Sequence, residues 1–288
     1  MPYTPKKTSK VHSAAWLEER LQLPETTPYL VGLDEVGRGC LAGPVVVACS
    51  VWEHQRLAGE GAVSASSSTW WNQIGDSKKL TRLQRKSLYQ ACLKELQLTP
   101  PSFDLGLGTT SPKSTISGTK PRQTFSDWEK LPAHYHTPQD AWKLVGVFWG
   151  ISTHEEIDRW NIWECCQLAS RRALEQIPPG IKPRVGMVAV DGKLPFSLQS
   201  PFCQAPQMVL VGGDSLSRSI GLASIMAKEW RDGLMEHWDP FEPLFGHKNH
   251  KGYGTSEHRA AILKSGTGSL HRQSFLSKIL QGHANSPT

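Results

Sequence analysis

The sequence predicts an α/β protein in which helices flank a mixed sheet and a small helical region follows at the C-terminus. Short runs rich in Val and Leu, such as residues 29–36 and 184–190, have the composition of buried strands. Other segments, such as residues 81–98 and 219–230, carry apolar residues at helical spacing. With 288 residues and 38% hydrophobic content, the chain can form one large domain with an appendage, or two domains.

The N-terminal part is predicted to be a polar arm that contains a short helix. Residues 14–23 place apolar side chains at helical spacing, and Pro24 ends the pattern. We expect this helix to pack on the core.

The rest of the chain is organised around residues 29–52. Two strand-like runs flank a glycine turn, which consists of Gly37, Arg38 and Gly39, and the first run ends on Asp34 and Glu35. This pattern predicts a hairpin with an acidic pair at its mouth. Residues 37–42 also fit the dinucleotide pattern G-x-G-x-x-A, but that site needs a helix after the glycines, whereas a strand follows here.

A helix is predicted over residues 81–98, with an apolar stripe formed by Leu83, Leu88, Cys92 and Leu96. We expect Asp76 or Ser77 to cap it. Lys78 and Lys79 lie near its start, where cations oppose the helix dipole unless an anion is close.

Two polar stretches interrupt these elements. The Ser- and Gly-rich residues between Trp52 and Ile74 predict an exposed loop. Residues 100–138 are rich in Pro, Ser, Thr and Gly and show no period, which predicts a long, mobile insertion of unknown function.

The second half of the chain predicts a strand at 141–151, one helix from Thr153 to near Pro178, strands at 184–190 and 208–212, and a helix from Ser219. Acidic residues in the first turn of a helix are favoured by its dipole, so we interpret Glu155, Glu156 and Asp158 as structural. We expect Lys228, Arg231 and Asp232 to form an internal ion-pair set.

Three strand-like runs end on carboxylates: the first on Asp34 and Glu35, the second on Asp191, and the third, after two glycines, on Asp214. If these strands lie side by side, their ends form an acidic cluster. Carboxylate oxygens are the ligands that Mg²⁺ and Mn²⁺ prefer. Without a cation the carboxylates would repel one another, and some would bind protons.

Asp34 and Glu35 are consecutive, and consecutive strand residues point to opposite faces of a sheet. We therefore predict irregular backbone at Glu35, which would let both side chains reach one cluster. By this reasoning, a Glu35 on the far face of an unbroken strand would refute its role as a ligand.

The segment GLDEVGRGCLAGPVVVA, residues 32–48, closely resembles the signature of type 2 ribonuclease H, specifically ribonuclease HII. Further blocks occur in the order that this family uses: DSKKL from Asp76, EEIDRWNI from Glu155, VAVDGK from Val188, GGDSLSRSIGLASIMAKEWRD from Gly212, HKGYGTSEH from His250 and HRQSF from His271. The resemblance covers most of the chain outside the N-terminal arm and the insertion. It implies a ribonuclease H-like fold.

The resemblance also implies roles for individual residues. Asp34, Glu35, Asp191 and Asp214 match the acidic quartet that coordinates the family's metal ions, Mn²⁺ or Mg²⁺. The glycine turn matches the element that senses a ribose 2′-hydroxyl, and Tyr253 matches a tyrosine that stacks on the next deoxyribose. Lys78 and Lys79 match phosphate contacts. Where the family usually has Lys-Gly-Asp, this chain has Gly212, Gly213 and Asp214, so one phosphate contact is missing.

The implied function is an endoribonuclease that hydrolyses the RNA strand of RNA/DNA hybrids. It would also cleave on the 5′ side of single ribonucleotides in duplex DNA, by a two-metal-ion mechanism, during ribonucleotide excision and primer RNA removal. Two other functions stay open at this point. One is a hybrid-binding module without catalysis, which the presence of all four carboxylates disfavours, and the other is a DNA exonuclease or transposase on the same sheet.

Composition sets the remaining expectations. A net charge of +6 and a pI near 9.0 suit a polyanionic partner, and we expect His247, Lys248, His250, Lys251, His271 and Arg272 to lie along a nucleic-acid backbone. No C-x-x-C pair or zinc-type spacing is present among the six cysteines. The absence of a secretory signal or a membrane-length apolar run predicts a cytoplasmic protein, which we expect to be a monomer without a membrane partner.

These observations give a division into three parts. Residues 1–28 form the arm and short helix, residues 29–235 form the catalytic domain with the insertion at 100–138, and residues 236–288 form a helical C-terminal region and tail.

Overall fold

The computed structural model of the protein describes residues 16–55, 70–74, 79–103, 124–125 and 141–284. The predicted loop before Ile74 and most of the predicted insertion at 100–138 lie outside these residues, as do Asp76, Ser77 and Lys78. The strands are β1 (Tyr29–Val36), β2 (Val45–His54), β3 (Thr124–Phe125), β4 (Trp142–Ser152), β5 (Val185–Asp191) and β6 (Gln207–Leu210). The α-helices are α1 (Leu17–Arg20), α2 (Arg82–Glu95), α3 (His154–Trp160), α4 (Ile162–Glu175), α5 (Arg218–Trp238), α6 (His247–His250), α7 (Ser256–Ser265) and α8 (Gln273–Ala284).

The six strands form one mixed sheet in the order β3-β6-β5-β1-β2-β4. Strands β1, β5, β6 and β3 run parallel to one another. Strand β2 is antiparallel to both of its neighbours, β1 and β4. The hairpin predicted from residues 29–52 is therefore present as β1 and β2. On its other side, β1 pairs with the parallel strand β5, so the C-terminal ends of β1 and β5 lie next to each other at one edge of the sheet.

Helices cover both faces of the sheet, as predicted. Alternate residues of β1 divide between two apolar cores: Leu30 packs with α5 residues such as Ile220, and Val31 and Leu33 pack with α4 residues such as Ala169. Period-2 alternation in the strand and an apolar stripe on each helix explain this layering. The mixed sheet between helices confirms the predicted fold class.

The N-terminal helix α1 packs on the core, as predicted, and it also carries a buried carboxylate. Glu18 is 2% exposed and accepts hydrogen bonds from Ser217 Oγ at 2.6 Å and from the backbone N–H groups of Arg218 and Ser219 at 3.0 Å each. These donors lie at the N-terminus of α5, where backbone N–H groups lack helical partners and a negative charge is favourable. Glu18 thus fixes the start of the helix that covers β1.

Two predictions about helix α2 are wrong. The cap is Thr81, whose side chain accepts from the Gln84 N–H while the Gln84 side chain accepts from the Thr81 N–H. Leu83 is 81% exposed, and only Leu88 and Cys92 of the predicted stripe are fully buried. The helix begins at Arg82, so Leu83 lies in its first turn, away from the core.

The predicted single helix after Thr153 is two helices, α3 and α4, which are separated at Asn161. Asn161 has φ of 69° and accepts from the N–H groups of Trp163 and Glu164, so it begins α4. The structural interpretation of the acidic residues holds: Glu156 completes a capping box with Thr153 and pairs with Arg172, and Asp158 accepts from the first N–H groups of α8.

None of the helices formed by the described residues combines the length and apolar character that crossing a membrane requires.

Candidate active site

The carboxylates predicted from the strand ends meet at one edge of the sheet. In the parallel register Leu33 pairs with Val190, and Asp191 pairs with Leu210, so the three chain segments leave the sheet side by side. A 3₁₀ turn, Gly213–Ser215, then carries Asp214 back toward the ends of the other strands. We call the group of Asp34, Glu35, Asp191 and Asp214 the acidic edge.

Asp34 lies at the centre of the acidic edge. Its side chain is 7% exposed and accepts from the Glu35 N–H at 2.8 Å. Burial raises the pKa of Asp34 well above its usual value, and the nearby charges of Asp191 and Glu35 raise it further, whereas a hydrogen bond with Ser224 of α5 lowers it. Within the described ranges, no basic side chain forms an ion pair with this carboxylate.

Asp191 and Asp214 lie close to Asp34 and to each other's chain segments. Asp191 accepts from the Gly213 N–H at 2.7 Å, which joins the end of β5 to the turn after β6. Asp214 is 2% exposed, and its charge contributes to the raised pKa of Asp34. The three aspartates predicted to converge are thus brought together.

The prediction of irregular backbone at Glu35 is wrong. Strand β1 stays paired with β2 through Val36 without a shift in register, so the pleat directs Glu35 to the face opposite Asp34. This is the condition set above for refuting Glu35 as a ligand, but that condition assumed a paired strand on both sides of β1. Pairing with β5 ends at Leu33, so on that side no strand lies between the two faces at Asp34 and Glu35. Burial raises the pKa of Glu35. The positive charge of Arg38, whose guanidinium lies 3.2 Å from Glu35 Oε1, opposes this shift, and the negative charge of Asp191 adds to it. Glu35 therefore lies within electrostatic range of Asp191, and its role as a ligand stays a prediction.

The glycine turn follows the acidic edge directly. Gly37 has φ of +87°, and a Cβ there would lie 2.3 Å from Nε of Arg231, so the protein itself requires glycine. Gly39 is different, because a Cβ there would meet no protein atom within 4 Å and its φ is not positive. The open space at Gly39 is the kind of space that a closely approaching ligand needs.

Tyr253 lies beside the glycine turn. Its ring is 39% exposed and 5.9 Å from the Arg231 guanidinium. The backbone of this segment contacts the end of the turn, since the Leu41 N–H donates to the Gly252 carbonyl at 2.8 Å. Burial raises the pKa of Tyr253 to about 12, with Cys40 as the next cause. Lys79 is exposed just before the Thr81 cap, and its phosphate contact stays a prediction, as does that of Lys78 outside the described residues.

The prediction that the C-terminal basic residues lie along nucleic acid is wrong for several of them. His247, His271 and Arg272 are at most 1% exposed. Arg231 also departs from its prediction: Lys228 and Asp232 form an ion pair at 3.1 Å, but Arg231 donates to backbone carbonyls instead. No feature of the sequence shows that these cations are buried, because their carbonyl partners are distant along the chain.

Three buried histidines and one partly buried histidine form a group that we call the histidine cluster: His247, His258 and His271 with His250. The first three have nitrogen atoms within 4.8 Å of one another, as metal ligands would. However, the His250 and His258 rings are stacked, with centroids 4.0 Å apart and an interplanar angle of 13°, so their in-plane lone pairs cannot converge on one ion. His258 and His271 instead share a hydrogen bond of 3.0 Å between their Nε2 atoms.

The acidic edge fits a divalent cation better than the histidine cluster does. Its donors are carboxylate oxygens, which suit Mg²⁺ and Mn²⁺, and the like charges that raise the pKa of Asp34 are those that a bound cation would compensate.

Comparison with known proteins identifies the family of the chain. A family model described as Ribonuclease HII matches residues 31–100 and 138–278, and the gap between them falls on the predicted insertion. The Ribonuclease HII of Synechococcus elongatus is 31% identical over 252 residues, which cover 88% of this chain and 87% of that protein. The Ribonuclease HII of Thermotoga petrophila is 34% identical over 246 residues, which cover 85% of this chain and 72% of that protein.

Solved structures show the same fold. Ribonuclease H2 from Pyrococcus horikoshii superimposes with a TM-score of 0.51 at 18% identity, covering 90% of this chain and 100% of that one. Bst-RNase HIII in complex with Mn²⁺ gives a TM-score of 0.53 at 16% identity, covering 98% of this chain and 77% of that one. From the family match and the extent of the sequence identity, the chain belongs to the ribonuclease HII family and is an endonuclease of the ribonuclease H class.

Proposed function

We propose that the protein is a divalent-metal-dependent endonuclease that cleaves the RNA strand of RNA/DNA hybrids and cuts 5′ of single ribonucleotides in duplex DNA. The products would carry 3′-hydroxyl and 5′-phosphate ends, as required for ribonucleotide excision and primer RNA removal. The observation that carries the proposal is the juxtaposition of the acidic edge and the glycine turn at the end of β1.

In this proposal Asp34, Asp191 and Asp214 hold divalent cations, Mn²⁺ or Mg²⁺, and Glu35 completes the set from the other face of β1. When bound, two such ions supply an activated water and stabilise the leaving oxygen of the phosphodiester. The protein contributes the orientation of the carboxylates: the Glu35 N–H holds Asp34, and the Gly213 N–H holds Asp191. These backbone contacts fix the oxygens before substrate arrives.

The glycine turn supplies selectivity for a ribonucleotide. The space at Gly39 lets a sugar approach the backbone, and the 2′-hydroxyl is the group that distinguishes RNA from DNA. Tyr253, half-exposed beside the turn, offers a ring surface to the next sugar. Lys78, Lys79 and Arg38 contribute positive charge for the backbone phosphates.

The test uses three duplexes of identical sequence, one all-DNA, one with a single ribonucleotide and one RNA/DNA hybrid, incubated with Mn²⁺ or Mg²⁺. We expect the hybrid to be cut in its RNA strand and the second duplex to be cut once, immediately 5′ of the ribonucleotide. The all-DNA duplex should stay intact. Cleavage of the all-DNA duplex would instead indicate a DNA nuclease, and intact duplexes throughout would leave only hybrid binding.

We also propose that the chain works in the cytoplasm as a monomer, with residues 29–235 as the catalytic domain and residues 236–288 as a helical region that supports it. Five buried thiols, those of Cys40, Cys49, Cys92, Cys165 and Cys166, are free, which suits a reducing compartment. Cell fractionation and light scattering would test location and oligomeric state, and limited proteolysis would test the division.

A further inference from the structure

A single buried arginine from the C-terminal region holds the glycine turn. Arg272 is 0% exposed, and its guanidinium donates to the Gly37 carbonyl at 2.7 Å, to the Arg38 carbonyl at 3.1 Å and to the Gly43 carbonyl at 2.9 Å. Burial, and next the charge of Arg231, lower the pKa of Arg272 to about 10, so the group stays cationic at neutral pH. Among the described residues no carboxylate pairs with it.

The second half of the same loop is held by a second arginine. Arg231, also 0% exposed, donates to the carbonyls of Ala42 at 3.0 Å and Pro44 at 2.9 Å. The planar guanidinium offers five donors in a fixed fork, which is why it can bind several carbonyls at once. Together the two side chains fix the loop between β1 and β2 from its inner side.

This arrangement determines which groups the glycine turn presents outward. In a trans peptide the carbonyl and the following N–H point in opposite directions. Because the carbonyls of Gly37 and Arg38 point inward to Arg272, the N–H groups of Arg38 and Gly39 point away from the guanidinium. Within the part of the chain that the structure describes, neither N–H has a hydrogen-bond acceptor. Both are donors beside the open space at Gly39.

We propose that Arg272 is a positioning residue for ribonucleotide selectivity, which aims the N–H groups of Arg38 and Gly39 at the 2′-hydroxyl and the adjacent phosphate of the substrate. This inference rests on the proposed function. The guanidinium acts through the backbone: it fixes the peptide planes, and its charge polarises the peptides so that their N–H groups donate more strongly. Arg272 itself does not contact the substrate.

The substitution Arg272→Lys tests this inference, because lysine keeps the charge but lacks the fork that spans Gly37, Arg38 and Gly43. The matched control is Arg218→Lys, since Arg218 is 4% exposed and lies at the start of α5 with Glu19 as its partner. The measurement is the affinity for the single-ribonucleotide duplex divided by that for the all-DNA duplex, in chelator, together with the KM and kcat of cleavage in Mn²⁺.

We expect Arg272→Lys to lower this affinity ratio about tenfold and to raise KM, while its affinity for the all-DNA duplex changes less than about twofold. Arg218→Lys should lose similar thermal stability and keep the ratio. A folded Arg272→Lys protein with the wild-type ratio, or equal loss in both variants, would overturn the inference.

Hydrogen exchange of the wild-type protein gives an independent result if Arg272→Lys does not fold. The single-ribonucleotide duplex should slow exchange at the amides of Arg38 and Gly39, and the all-DNA duplex should not. Equal exchange with both duplexes would contradict the inference. If the wild-type protein cleaves as proposed while exchange at these amides is unaffected, only the role of Arg272 is refuted. If the wild-type protein neither prefers nor cleaves the single-ribonucleotide duplex, the proposed function is refuted as well.

Discussion

The acidic edge and the histidine cluster both hold titratable groups in the interior, and they differ in what the protein supplies to them. In the histidine cluster, protein groups meet every ring nitrogen except Nδ1 of His247. For example, His258 Nδ1 donates to the Tyr253 carbonyl, and His271 Nδ1 accepts from the Gly268 N–H. At the acidic edge, burial raises the pKa of Asp34, and the like charges of Asp191 and Glu35 raise it further.

This difference in pairing distinguishes buried polar groups that stabilise the fold from those that serve a ligand. A buried polar group that is fully paired inside the protein stabilises the fold, whereas one that is left uncompensated costs stability and needs a ligand to offset that cost. Histidine and arginine in the C-terminal blocks belong mostly to the first kind. Asp34 at the end of β1 belongs to the second kind, because burial and the neighbouring carboxylates raise its pKa well above the usual value.

The largest expected effect is on catalysis when a carboxylate of the acidic edge loses its charge. Asp34→Asn should lower cleavage of the single-ribonucleotide duplex by roughly 10³-fold, because a ligand of the catalytic ions is worth several kcal/mol at the transition state. Single-turnover cleavage rates measure this effect. As a control, Asp158→Asn changes a carboxylate that only caps α8, and its rate per folded molecule should match wild type.

The two glycines of the turn offer a second test, because the protein fills the space at Gly37 and leaves it open at Gly39. Gly39→Ala should lower kcat/KM for the single-ribonucleotide duplex by about 10- to 100-fold through steric conflict with the sugar. Its melting temperature should stay equal or rise slightly, since alanine restricts the unfolded chain.

Gly37→Ala should behave in the opposite way and lower the melting temperature, because alanine at φ of +87° is strained and its Cβ meets Arg231. Unchanged cleavage by Gly39→Ala would show that the open space is not a substrate site.

Acidification should destabilise the histidine cluster. Burial lowers the pKa of both His258 and His271 from 6.5 to about 4, with further lowering by neighbouring histidines. Between pH 6.5 and pH 4 the unfolded chain binds protons that the folded protein excludes, so stability is present above pH 6.5 and falls as the pH falls through this window. The slope reaches about 2.7 kcal/mol per pH unit for two such groups.

Urea unfolding at several pH values measures this slope. His258→Gln should reduce it, and a slope unchanged in this variant would show that the histidine cluster does not carry the effect.

Glu18 provides the sharpest contrast with Asp34, since it is a buried carboxylate whose partners are all protein donors. Glu18→Ala should lower the free energy of unfolding by about 3 kcal/mol, because three charge-assisted hydrogen bonds at the start of α5 are lost. Glu155→Ala, an exposed acid in the first turn of α3, should cost less than about 1 kcal/mol. Equal costs in urea unfolding would contradict this assignment of Glu18.

The sequence predicted the acidic edge because its signal is local to each strand: an apolar run that ends on a carboxylate. The position of Asp34 next to Asp191 then follows from parallel pairing. The Thr81 capping box also has a local signal, a threonine three residues before a glutamine, which should have been preferred over Asp76 or Ser77.

Long-range pairing explains what the sequence did not reveal. Arg272 binds carbonyls more than 220 residues away, those of Gly37, Arg38 and Gly43, and no local pattern shows such partners. The break at Asn161 depends on a positive φ that asparagine tolerates but rarely adopts. The end of pairing between β1 and β5 at Leu33 is likewise a long-range feature, which the sequence of β1 alone does not show.

The central claim is that the charge of the acidic edge is left for divalent cations, and thermal unfolding during a Mn²⁺ titration tests it most directly. Wild-type protein should gain about 2.7 kcal/mol of stability at a Mn²⁺ concentration 100 times the dissociation constant. In chelator, Asp34→Asn should unfold at a higher temperature than wild type, because the buried charge is removed, and Mn²⁺ should then have little effect on it. A wild-type melting temperature that does not respond to millimolar Mn²⁺, or an equal response in Asp34→Asn, would contradict the account.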